Sequence, residues 1–137
     1  KLDFMESMST WSSDIKGPVK KSVLVGDLNV APSEHDVWSH KQLLKIVSHT
    51  PVETEALAKV MASGNWLDAV REHFGEDDEL YSWWSYRANS RANNKGWRLD
   101  YTLVASSLQE KLKRAVILSE AVHSDHCPVL VELKNKK

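Results

Sequence analysis

The feature that most narrows the folds open to this chain is one pattern met three times, a strand-like apolar run carrying a carboxylate. Gly26-Asp27-Leu28-Asn29 follows the apolar run Ser22 to Val25. Arg98-Leu99-Asp100-Tyr101 lies inside the alternating run Trp97 to Ala105, and Ser124-Asp125-His126-Cys127-Pro128 leads into Pro128 to Leu133. An Asp just after a strand is most often a turn or cap residue, so no one of these segments says much by itself. Asp100 is harder to dismiss, because burying a lone carboxylate within a strand is costly without a partner. Brought together at one edge of a sheet, the segments supply three carboxylates, an amide and an imidazole. Hard oxygen donors of that kind suit Mg²⁺ or Mn²⁺ rather than zinc. The imidazole can donate to a phosphate or exchange a proton near neutral pH. Together these groups can offset developing charge, activate water and hold a scissile phosphate, which is what phosphodiester hydrolysis needs.

Around these segments the chain reads as one α/β domain with a mixed sheet. Leu2, Met5, Met8, Trp11 and Ile15 stand near helical spacing, in a helix that stops before Gly17-Pro18. Ser22 to Val25 reads as a buried strand. Val30 to Thr50 reads as a long surface loop holding one short helical piece. A helix starts at Pro51, with Thr50 as its cap and acids in its first turn, and Ser63-Gly64 ends it. A second helix is predicted over Trp66 to Phe74, with Leu67, Val70 and Phe74 on one stripe. Further strands are predicted over Tyr81 to Tyr86, Trp97 to Ala105, Ala115 to Leu118 and Pro128 to Leu133, with a short helix over Ser107 to Lys113. The acidic run Glu76 to Glu79 reads as a solvated turn, and His35, His40, His49, His73 and His123 as exposed.

A second constellation is basic and aromatic. Between Leu80 and Leu99 there is no acid, while Arg87, Arg91, Lys95 and Arg98 are interleaved with Tyr81, Trp83, Trp84, Tyr86 and Trp97. Cations bind phosphates and flat rings pack on sugars or bases, so the stretch reads as a nucleic-acid contact surface. Alternation along a strand turns one of Trp83 and Trp84 into the core and the other toward the site. The chain as a whole is nearly neutral, with 18 Lys+Arg against 19 Asp+Glu in 137 residues, so any such contact is local. The single cysteine, Cys127, excludes an internal disulfide and fits a reducing, cytoplasmic setting. No run of about 18 apolar residues offers a membrane span.

Gly26-Asp-Leu-Asn-Val-Ala-Pro32, Tyr81-Ser-Trp-Trp-Ser-Tyr-Arg87, Gly96-Trp-Arg-Leu-Asp-Tyr101 and Ser124-Asp-His-Cys-Pro128 stand in this order across nearly the whole chain. The set resembles the C-terminal half of the exonuclease III family of apurinic/apyrimidinic endonucleases, within the endonuclease/exonuclease/phosphatase superfamily. The stretch Glu34 to His40 looks more like bacterial members than animal ones. The resemblance implies a DNase I-like four-layer α/β sandwich, of which residues 1–137 supply one mixed sheet with its outer helices. It implies that Asp27 orients or deprotonates the attacking water, and that Asn29 stabilises the charged phosphorane. Asp100 fixes His126, which contacts the scissile phosphate or accepts a proton. Asp125 belongs to the Mg²⁺ (or Mn²⁺) site, with Asp27, Asn29 and His126 as further candidates. Trp83, Trp97 and Leu99 match the pocket for a flipped abasic sugar. Arg87 matches a residue that pushes into the duplex, and Arg91 and Lys95 of the basic stretch are further DNA-binding candidates.

The implied activity is incision of duplex DNA 5′ to an abasic site, with trimming of 3′ ends. The family's first half, which brings further catalytic and metal-binding residues, has no counterpart here, and the chain starts at Lys1 rather than Met. The expectation is therefore a C-terminal half, inactive alone, that pairs with the missing half or self-associates through an exposed apolar sheet face. Two other readings keep part of the pattern: the same metal chemistry on a phosphoinositide or lipid phosphate, and a non-catalytic DNA-binding fragment. The basic, tryptophan-rich segment argues against the first. Salt-dependent binding to abasic DNA without cleavage would favour the second.

Overall fold

The computed structural model describes residues 1–14, 21–43 and 45–135. Helix α1 (Leu2–Asp14) packs on α3 (Pro51–Gly64), and both cover one face of a sheet ordered β1 (Val23–Asp27), β5 (Asp100–Ala105), β2 (Trp66–Asp68). Met5, Met8, Leu57, Val60, Trp66, Tyr101 and Leu103 form the core between helices and sheet. The opening helix agrees with the sequence pattern. Ile15 and the expected stop at Gly17-Pro18 lie outside the described residues. Thr50 and Glu53 close a reciprocal capping box at the start of α3, which is why the chain turns helical at Pro51.

The helix predicted over Trp66 to Phe74 starts three residues late. Asn65 takes a left-handed conformation (φ 49°) and ends α3, so Trp66 to Asp68 emerge extended and pair with Leu103 to Ala105. Asp68 then accepts from the amides of Val70 and Arg71 and caps α4 (Ala69–Phe74). Gly64 is required here, since a Cβ on it would fall 2.1 Å from the Trp66 indole nitrogen.

The strand predicted over Trp97 to Ala105 is broken. Its start belongs to a small ladder of β3 (Trp83–Trp84) and β4 (Gly96–Trp97), its end to β5. At the junction the Arg98 amide donates to Asp36 O (2.8 Å) and the amides of Leu99 and Asp100 donate to Ser82 Oγ (3.0 and 3.1 Å), so side-chain and loop acceptors replace the ladder. A third sheet joins β6 (Leu112–Ile117) to β7 (Val129–Leu133). The described strands thus form three sheets where one mixed sheet was expected, and every pairing among the described residues is antiparallel. The 3₁₀ segment Ser106–Lys111 takes the place of the short helix.

β1 departs from the fully buried strand expected. Leu24 packs against the helical core, but Val23 and Val25 point the other way and are 43% and 67% exposed. Their cross-strand partners Val104 and Thr102 are buried. The face away from the helices is therefore apolar and partly open at β1. Among the described residues from Val30 to Thr50 there are two short pieces, the 3₁₀ turn Glu34–Asp36 and α2 (His40–Leu43). His73 and His123 are exposed, but His49 is 3% exposed and is bonded through both ring nitrogens, to Ala31 O and to His40.

Candidate active site

β1 and β5 place Asp27 directly opposite Asp100 at the last step of their ladder. From the third segment, Ser124 to Cys127 runs along β3: Trp83 bridges His126, the Trp84 amide donates to Asp125 O, and the Cys127 amide donates to Ser82 O. All three carboxylate-bearing segments thus reach one edge, as their pattern suggested. His126 Nδ1 lies 2.8 Å from Asp100 Oδ2, and the Ser82 hydroxyl donates to the same oxygen at 2.7 Å. Ser82, fully buried, ties together the backbone of β5, the carboxylate and the loop of His126. Sequence reasoning passed over Ser82, whose only signal was its place inside the aromatic motif.

Asn29 adopts φ 54°, and its amide donates to Asp27 Oδ1 at 2.8 Å in a tight turn. Its side-chain oxygen meets the Ser48 hydroxyl. Asp125 accepts from Trp83 Nε1 at 3.0 Å. That hydrogen bond, with smaller help from Ser124 and His126 against slight desolvation, holds its carboxyl below the ordinary carboxylate range.

Between these groups lies a cleft of about 330 Å³ walled by Trp83, Trp97, Leu99 and Trp38, with Asn29 and His126 on its lining. Trp83 and Trp97 are a cross-strand pair of β3 and β4. The three expected wall residues do meet, beside the dyad. Trp38 was missed, although a tryptophan in an otherwise polar loop is a signal, and its amide is fixed to Gly96 O at 3.0 Å. Of Trp83 and Trp84, the second turns into the core.

The expected cations divide. Arg87 is exposed, and Lys95 lines the cleft with its ammonium 4.9 Å from the Trp38 ring centroid. Arg91, expected at the DNA surface, instead donates to the carbonyls of Ser119, Ala121 and Ser124 and stacks over Trp84. It straps down the segment that carries Asp125 and His126. Arg98 is 1% exposed and joins Asp36, Asp68 and, through Asp36, Arg71 in a buried ionic network.

The expected metal set of Asp27, Asn29, Asp125 and His126 does not close into a coordination shell. Among the described residues no three His, Cys, Asp or Glu side chains gather as an ion would need. Asn29 Oδ1 is engaged by Ser48, His126 Nδ1 by Asp100, and Asp125 by Trp83 and Ser124. Asp27 and Asp125 offer part of a hard-oxygen shell and no more.

Residues 4–126 match the model of the endonuclease/exonuclease/phosphatase family. An exodeoxyribonuclease of Bacillus subtilis is 40% identical over 116 residues, which are 85% of this chain and 44% of that protein. The DNA repair nuclease APEX1 of Danio rerio is 35% identical over 139 residues, 97% of this chain and 44% of its own length. The chain thus spans less than half of either relative. Among solved structures, a 3′-5′ exonuclease from Neisseria meningitidis superposes with a TM-score of 0.88 at 26% identity, covering 96% of this chain and 52% of that one. An AP endonuclease from Archaeoglobus fulgidus gives 0.86 at 25% identity, covering 98% and 53%. The α/β, DNase I-like architecture expected from the sequence is the one these enzymes share.

Proposed function

The chain belongs to the endonuclease/exonuclease/phosphatase family, and from that premise we propose that it is the C-terminal part of a DNA-repair phosphodiesterase that incises duplex DNA 5′ to abasic sites and trims 3′ ends. The observation that carries this reading is the His126–Asp100 pair at the rim of a cleft walled by Trp83, Trp97 and Leu99. Asp100 accepts a hydrogen bond from Nδ1–H, so His126 keeps its tautomer and offers Nε2 to a phosphate oxygen or a transferring proton. Asp27 orients the attacking water from the facing strand, and the Asn29 side-chain NH₂ donates to the charge that builds on the phosphoryl oxygens. The aromatic walls take a flipped, base-free sugar and exclude a full nucleotide. Arg87 and Lys95 meet the backbone on either side.

A bound Mg²⁺ or Mn²⁺ supplies charge stabilisation at the phosphate, and Asp27 and Asp125 are the side chains here that suit it. Because they form only part of a shell, the chain alone is inactive, and its remaining ligands come from a segment matching the relatives' N-terminal part. The open apolar face at Val23 and Val25 is the seat of that segment or of a second copy.

The test is a Mg²⁺-dependent nicking assay on an abasic duplex, with this chain alone and with it fused behind the N-terminal part of the Bacillus subtilis relative. The fusion should cut and the chain alone should not. His126→Ala and Asp27→Asn should each lower the fusion's rate by roughly 10²-fold or more. Near-normal rates in either variant refute the site, and full cleavage by the 137-residue chain refutes its incompleteness.

A further inference from the structure

Asn29 enters the cleft from a turn with no regular structure after it, so something must decide which half of its amide faces the substrate. An Asn amide can present either its oxygen or its NH₂ group, and the two differ by a flip that costs little in water. Only the NH₂ half can serve a charged phosphate.

The hydrogen bonds around Ser48 make that choice. Lys1 Nζ reaches three acceptors, Asn29 O at 2.8 Å, Ser48 Oγ at 3.1 Å and Glu53 Oε1 at 2.7 Å. An ammonium has three protons and no lone pair, so at Ser48 the hydroxyl oxygen accepts from Lys1. The hydroxyl keeps its own proton to donate, and the acceptor the structure sets against it is Asn29 Oδ1. The NH₂ half is left to line the cleft.

Ser48 is itself held firmly. It is 6% exposed, its amide donates to Glu53 Oε2 at 2.8 Å, and its carbonyl accepts from the Ala31 amide at 2.7 Å. The same Glu53 oxygen accepts from the Thr50 amide (3.2 Å) and hydroxyl (2.7 Å) in the capping box of α3. A rigid helix start, a serine and an amide thus form one chain that ends at the cleft.

We propose that Ser48 is a positioning residue, anchored by the α3 capping box, that fixes the Asn29 side-chain amide with its NH₂ group toward the phosphate. This rests on the phosphodiesterase reading for its catalytic consequence, but not for its structural content.

Ser48 sits at φ 83°, a conformation glycine adopts at no cost. Ser48→Gly therefore removes the hydroxyl without backbone strain, and Ser48→Ala removes it while keeping the Cβ. The first measurement uses the ¹⁵N-labelled 137-residue chain, with the Asn29 side-chain NH₂ signals assigned by their loss in Asn29→Ala. Both Ser48 variants should shift that pair and narrow the separation of its two protons, while distant amides stay in place. An unmoved Asn29 pair overturns the proposal, whatever the protein's activity.

The second measurement is steady-state nicking of an abasic duplex by the fusion described above. Ser48→Gly should lower kcat about tenfold with KM within about twofold. In an Asn29→Ala background it should add nothing. Effects that multiply would mean that Ser48 acts on the substrate directly, and would overturn the positioning role. A fusion that cuts nothing refutes the phosphodiesterase reading alone, since the NMR result still decides where the amide points.

Discussion

Asp100 Oδ2 accepts from two side chains at once, His126 Nδ1 at 2.8 Å and the buried Ser82 hydroxyl at 2.7 Å, so the carboxylate is aimed before any substrate arrives. Asp100→Asn should keep the volume but present an amide that can turn its NH₂ toward His126 and favour the wrong tautomer. The expected outcome is a loss of roughly 10²-fold or more in kcat for abasic-site nicking by the fusion, with duplex binding near normal. Ser82→Ala should give a smaller loss in the same direction, because His126 still holds the carboxylate from one side. Equal kcat in Asp100→Asn and the parent would remove the pair from the mechanism.

Arg91 and Arg87 are four residues apart in a basic loop and should behave in opposite ways. Arg91→Ala strips three carbonyls of their donor and is expected to cost about 2 kcal/mol of unfolding free energy. Hydrogen exchange should speed up over residues 119–126. Arg87→Ala should leave stability unchanged, weaken DNA binding, and reduce the salt slope by about one. Denaturant titration and binding at several salt concentrations distinguish the two.

The contrast between these arginines shows what was legible. Composition marked Leu80 to Leu99 as basic and aromatic, and the carboxylate segments marked one sheet edge, because both signals are local in sequence. Whether a given cation faces solvent depends on acceptors far along the chain: Ser119 to Ser124 for Arg91, Asp36 and Asp68 for Arg98. The same distance hid Ser82 and Ser48, ordinary serines until the fold brings Asp100 and Asn29 to them. The polar loop around His49 reads as surface, yet Ala31 O and His40 satisfy both of its ring nitrogens in the interior. The strand beginning at Trp66 was lost to a helical stripe, since one left-handed Asn65 resets the pattern.

The buried network around Arg98 offers a stability test apart from the cleft. Burial alone would raise the Asp36 carboxyl, but the guanidinium groups of Arg98 and Arg71 outweigh it and hold the group below its ordinary value. Asp36→Ala leaves Arg98 with Asp68 as its carboxylate partner and Arg71 with only the carbonyls of Gly75 and Asp78, and should cost about 3–5 kcal/mol in urea unfolding at neutral pH. Because Asp36 O also accepts from the Arg98 amide between Trp97 and Leu99, tryptophan fluorescence of the folded variant should shift as well. A cost under about 1 kcal/mol would show that the network is not needed for the fold.

Glu53 sets an acid limit on the same region. Burial tends to raise its carboxyl, but hydrogen bonds from Lys1, from the Thr50 side chain and amide, and from the Ser48 amide outweigh that and bring it down to about 2 from an ordinary 4.5. A depressed folded-state value means the native chain resists protonation more than the unfolded chain does. The stabilisation is therefore complete above the ordinary value and is lost as pH falls from about 4.5 through about 2. The shift corresponds to about 3 kcal/mol, since one pKa unit is worth about 1.4 kcal/mol. Glu53→Gln should lower the unfolding free energy at pH 7 by an amount of that order, and the gap between variant and parent should close as pH approaches about 2. Urea titrations at pH 7, 4.5 and 2.5 measure it. A gap that stays constant across that range would mean the carboxylate acts through its shape alone, and that its charge does not hold Ser48 in place.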